Sequence, residues 1–177
     1  MNIKQFKRVL KHLWLDASDA RRAIPPDMLQ RLATRVGASE NRHSGQIRIC
    51  VEAALPMSYL WRLGANTTIK HLLHQRAVML FGKLRVWDTE HNNGVLIYLQ
   101  LAERGIEIVA DRGLSRQVPP AEWRAMTQRM GAAFREGKFE DGLTQALEEV
   151  SALLVEHFPV TAGEPQRNEL PNEPVVG

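Results

Sequence analysis

Apolar side chains recur at helical spacing in five stretches of the chain and at strand density in three. Residues 3–15 place Ile3, Phe6, Val9 or Leu10, Leu13 and Trp14 along one helix, with Lys4, Lys7, Arg8 and Lys11 at other positions. Residues 16–22 are polar and read as a connection. Pro25-Pro26 fits the first turn of a second helix, where a missing N–H costs nothing. That helix carries Leu29, Leu32, Ala33 and Val36 to about His43, with Glu40 and His43 falling on the same face and Gly45 suited to the cap. Residues 46–55 are dense enough in apolar side chains for a strand covered on both faces. Glu52 interrupts the run and is either at the strand's exposed end, the favoured reading, or part of a polar site. Pro56 stops the strand, and 57–64 make a short aromatic loop or turn. Asn66 is placed to cap a helix over 67–83, whose inner stripe is Ile69, Leu72, Leu73, Arg76, Leu80 and Phe81.

Residues 94–101 are almost wholly apolar, which predicts a central strand. The short link Ala102-Glu103-Arg104-Gly105 into 106–110 requires antiparallel pairing. Pro119-Pro120 opens a helix with the stripe Trp123, Met126, Met130 and Phe134, and 139–157 form the last helix before Pro159. The first strand reaches the second through a helix, so the two are expected to be parallel. Helices on both faces of such a mixed sheet give a small layered α/β domain. The chain divides into a basic amphipathic helix and connection over 1–22, an α/β domain over 23–159, and a polar, Pro-rich tail over 160–177 expected to be disordered.

Charge changes the picture only at one end. The net charge is +3, yet residues 1–48 hold ten basic against four acidic side chains, +6, leaving −3 for the rest. Two readings of the N-terminal helix follow: docking of its apolar face on the domain, which is favoured, or contact with an anionic lipid or a membrane-associated protein complex. Nucleic acid is the least favoured partner, because the basic residues are not interleaved with aromatics. Cys50 is the sole cysteine, so no internal disulfide forms. There is no long uncharged apolar segment, and no apolar core or cleavage site follows the basic N-terminus. The expectation is a soluble, cytoplasmic protein.

Phosphate-binding, dinucleotide, nucleophile-elbow and zincin motifs are all missing. His71 and His74 share a helix face, but no third metal ligand is evident. The better candidates flank the strands. The stretch Trp87-Asp88-Thr89-Glu90-His91-Asn92-Asn93-Gly94 precedes the central strand, and Asp111-Arg112-Gly113 leaves its antiparallel neighbour at the same end of the sheet. Hairpin pairing therefore brings Asp88, Asn92 and Asn93 toward Asp111. Carboxylates with amide and backbone oxygens suit Ca²⁺ or Mg²⁺. Asp88 and Asp111 are the candidate metal ligands, Asn92, Asn93, Gly94 and Gly113 the binding residues, and Arg112 the catalytic candidate that steadies phosphoryl oxygens. Taken singly, Asn-Gly makes a turn and Asp111 a cap. Their convergence is what marks a site.

The string Asn92-Asn93-Gly94-Val95-Leu96-Ile97, followed by Leu101-Ala102-Glu103-Arg104-Gly105-Ile106-Glu107-Ile108, resembles the core of TPM domains. Phe134-Arg135-Glu136-Gly137-Lys138-Phe139-Glu140-Asp141-Gly142-Leu143 is similar to that family's last helix junction, so the resemblance spans about residues 25–158. It implies a three-layer, Rossmann-like α/β/α sandwich with extra N- and C-terminal helices. It also implies kinship with a thylakoid-lumen acid phosphatase and with bacterial domains that bind divalent cations. The chain departs from the family's glycine-rich turn: Asp111 stands in place of its first glycine and Ser115 in place of its acidic residue. The function so implied is metal-assisted hydrolysis of phosphomonoesters. The alternative is a non-enzymatic, metal-binding module that assembles with a membrane-associated complex.

Overall fold

The computed structural model describes residues 3–63, 67–160 and 167–177. In chain order the elements are α1 (Ile3–Trp14), α2 (Ala17–Ala23), α3 (Pro26–Glu40), β1 (Gln46–Glu52), α4 (Met57–Leu60), α5 (Ile69–Lys83), β2 (Gly94–Gln100), β3 (Gly105–Ala110), α6 (Arg112–Ser115), α7 (Pro120–Arg135), α8 (Phe139–His157) and β4 (Val175–Val176). The strands form one mixed sheet in the order β3-β2-β1-β4. β1 runs parallel to β2 and β4, and β2 runs antiparallel to β3.

Strand alternation sorts the core into two layers. Ile47, Ile49 and Val51 of β1 and Val95, Ile97 and Leu99 of β2 face α2, α3, α7 and α8, where Leu32, Val36, Met130, Phe134 and Leu147 are buried. Cys50, Leu96 and Tyr98 point to the other face, against Leu72, Leu73, Ala77 and Leu80 of α5 and Leu60 of α4. Every residue of β2 is buried, as its unbroken apolar run predicts for a central strand. Cys50 is sealed in the second layer, and burial pushes its thiol up to about 12, so it stays protonated and unreactive.

Four sequence expectations are revised. Residues 16–22 are not a simple connection, because Asp16 caps α2. Asp16 accepts from the Ser18 N–H at 2.7 Å, and the Asp19 carboxylate accepts from the Asp16 N–H at 2.9 Å, a reciprocal box. Glu52 is not a solvated strand end. It forms a two-pronged ion pair with Arg76 (Nε to Oε2, 2.9 Å) and accepts the Tyr98 hydroxyl at 2.9 Å, both charged side chains being largely covered.

The expected disordered tail is, over 167–177, a strap along β1. Gln46 accepts from Glu169 N (2.9 Å) and Leu170 N (3.0 Å), and Val175–Val176 pair with Cys50 and Val51. The N-terminal helix does not dock through its apolar face either. Phe6, Leu10, Leu13 and Trp14 are exposed while His12 is buried. The expected Asn66 cap lies outside the described residues; Thr68 accepts from the His71 N–H at 3.2 Å and opens α5.

Candidate functional site

The site forms where the amino ends of β1 and β2 meet the end of β3. α5 stops when Arg85 enters the left-handed region (φ 56°), and Arg85 then pairs with Asp88 at 2.6 Å. Asn92 is also left-handed (φ 52°), a conformation asparagine tolerates better than most residues. That turn brings the Asn92 carbonyl to the Gly113 N–H at 2.8 Å, while the Asp111 N–H donates to the Gly94 carbonyl at 2.8 Å. Gly113 cannot be replaced cheaply: a Cβ there would stand 2.5 Å from the Asn92 carbonyl oxygen. At Gly94 a Cβ would collide with the Val86 carbonyl.

Side chains complete the cluster. Asp111 accepts from the Arg112 N–H at 2.6 Å and so starts α6. The Arg112 guanidinium donates through Nε to Asn92 Oδ1 at 3.0 Å and is otherwise exposed, with no carboxylate at ion-pair distance among the described residues. Asn93 is buried; its N–H donates to Thr89 Oγ1 (3.1 Å) and its amide to Ser44 Oγ (3.3 Å), tying the loop to the turn that leads into β1. Asn92, Gly94, Asp111, Arg112 and Gly113 are thus brought together by direct bonds. Asp88 is held by Arg85 instead, and Arg104 lies at the far hairpin turn, where it donates to the Arg135 carbonyl.

Next to this cluster, sharing His91, lies a polar cleft of about 570 Å³ lined by Glu40, His43, Ser44, Gln46, Glu90 and Glu169. His43 is 1% exposed; its Nδ1 lies 3.0 Å from the Gly45 carbonyl, and its Nε2 has no partner among the described residues. Burial holds the imidazole down to about 4, so it is neutral, with the proton on Nδ1, which donates to the Gly45 carbonyl, and Nε2 left as an acceptor. Glu40 accepts the Ile47 N–H at 3.1 Å, and burial pushes its carboxyl up to about 7. The sequence reading placed both residues on a helix face without giving them a role. Their signal was a polar side chain at an apolar position. The Glu169 wall of the cleft, which accepts the Glu90 N–H at 2.9 Å, had no local signal at all.

The donor set decides how well a divalent cation suits the loops as they are arranged. Among the described residues no three His, Cys, Asp or Glu side chains stand close enough to hold a metal ion. Asp88 is neutralised by Arg85, and the Asn92 amide oxygen already faces a guanidinium. These residues do not fit a resident Ca²⁺ or Mg²⁺ in this arrangement. They present a cationic group instead.

Residues 17–153 match the family model of the TPM domain. Several solved structures share the fold. The BA42 protein of the psychrophilic bacterium Bizionia argentinensis is 23% identical, with a TM-score of 0.70 over 87% of this chain and 95% of that one. The N-terminal domain of a P. gingivalis protein is 20% identical, with a TM-score of 0.55 over 77% and 82% of the two chains. No curated protein matches the chain. No described helix is long and apolar enough to cross a membrane. With residues 17–153, most of its length, inside the match, the chain belongs to the TPM domain family.

Proposed function

We propose that this TPM domain hydrolyses phosphomonoesters at the loop cluster around Asp111–Gly113. The observation that carries the reading is Arg112: an exposed guanidinium, held in place by Asn92 and not spent on a carboxylate. Such a group is built to grip phosphoryl oxygens, with its remaining N–H donors free to do so. The name of the matched family, TPM phosphatase, supports the reaction class.

In this reading Arg112 holds the phosphate while water attacks phosphorus. One Asp111 oxygen is fixed by the Arg112 N–H, and the other takes the proton of the attacking water. The ester P–O bond breaks, and the departing alkoxide is protonated from solvent. Fixing the carboxylate and the guanidinium on one short turn supplies orientation, the part of catalysis a static scaffold provides best.

The test is a generic phosphate ester offered to the full chain with magnesium, with calcium and with a chelator. Turnover is expected, and in this reading it persists under chelation because the Arg112 guanidinium, held by Asn92, grips the phosphoryl oxygens. Arg112→Ala should raise KM about tenfold or more through the lost charge-assisted contacts, and Asp111→Ala should lower kcat by about 10²-fold or more. Turnover no greater than that of Asp111→Ala would sink the proposal.

A further inference from the structure

α1 is anchored with its polar side inward. His12 Nδ1 accepts the Leu55 N–H at 3.0 Å, its Nε2 donates to Glu103 at 3.1 Å, and Arg8 pairs with the same carboxylate at 2.9 Å. Val9 packs beside them on the second core layer. This clamp fixes which face of the helix stays free. At 100° per residue, Leu13, Phe6, Leu10 and Trp14 fall within an arc of about 100° on the outer side. They are 59%, 54%, 42% and 79% exposed. Lys7 and Lys11, both exposed, border that arc immediately beyond Trp14.

A convex apolar stripe with a tryptophan at its margin and lysines along one flank matches the plane of an anionic bilayer. The apolar arc enters the acyl boundary, Trp14 sits at headgroup depth, and the two ammonium groups meet lipid phosphates. We propose that α1 docks this domain onto anionic membrane surfaces, lying in the interface instead of crossing it. A second copy of the chain is a poorer occupant, because pairing two stripes antiparallel sets the Lys7 and Lys11 flanks in close proximity. The stripe lies outside the family match, which begins at residue 17. Docking is therefore a property of this chain, and it stands or falls independently of hydrolysis.

The experiment is flotation of the full-length protein with phosphatidylcholine vesicles, alone or with phosphatidylglycerol. Recovery is expected with the anionic vesicles, falling with salt, and little with the neutral ones. Leu13→Ser combined with Trp14→Ser should weaken binding about tenfold or more, and Lys7→Glu with Lys11→Glu should cost about fivefold per lysine on anionic vesicles only. All four positions are exposed, so an unchanged circular dichroism spectrum and melting curve would show that the fold is intact. Equal recovery of wild type and the Leu13/Trp14 variant overturns the proposal, as does equal binding to neutral and anionic vesicles. Stripe-dependent dimerisation without vesicle binding would assign the face to a second copy and overturn it too.

Discussion

Glu40 and His43 share one cleft and are pushed in opposite directions by the same cause. Burial disfavours charge, so the carboxyl is raised to about 7 and the imidazole lowered to about 4. The consequences for stability have opposite signs. The folded state holds the Glu40 proton more tightly than the unfolded chain does, so its contribution is full below about pH 4.5 and is lost as pH rises to about 7. His43 contributes above about pH 6.5, and that contribution is lost as pH falls toward about 4. Glu40→Gln isolates the first effect. The melting temperature of wild type relative to this variant should decline steadily between pH 4.5 and 7; a difference independent of pH would show that Glu40 ionises as an ordinary carboxylate.

A largely covered ion pair ties β1 to α5. Glu52 and Arg76 keep only 12% and 14% of their side chains exposed, and the Tyr98 hydroxyl and the Tyr59 ring close around them. Removing one partner leaves a covered charge without compensation. Glu52→Ala should therefore cost about 3 kcal/mol, the low end for buried pairs because some exposure remains. The double substitution Glu52→Leu with Arg76→Met should lie closer to wild type than Glu52→Ala alone, as measured by urea denaturation.

Periodicity exposed the long elements well. The apolar run of β2 announced a central strand, and the stripes of α7 and α8 placed their boundaries within a residue. α2 was legible only as the pair Asp16 and Asp19, because a seven-residue charged helix has no stripe to detect. β4 could not be read locally. It depends on Gln46 and Arg48, whose side chains capture the backbone of residues 167–173 across more than 120 positions of sequence.

For the whole molecule, the parallel β1–β2 crossover and the antiparallel hairpin force the loop before β2 and the turn after β3 to one end of the sheet. That convergence was legible because it follows from strand direction alone. The partners inside it were not, since they depend on the left-handed turns at Arg85 and Asn92, which direct Asp88 to Arg85 and the Asn92 amide to Arg112.

The strap has a consequence of another kind. β1 is a long apolar strand whose outer backbone groups would otherwise stand open, and Val175–Val176, with Gly177 bonded to Val51 and Ala53, cap part of that row. An uncapped edge is a template for any extended chain it meets. Residues 167–177 thus act as a guard against self-templating. A chain lacking them is expected to remain folded when dilute yet to associate as concentration rises, which light scattering against the full chain would detect. Resistance to self-association would then depend on the few hydrogen bonds that Gln46, Arg48 and the backbone of Val51 and Ala53 make to this strap.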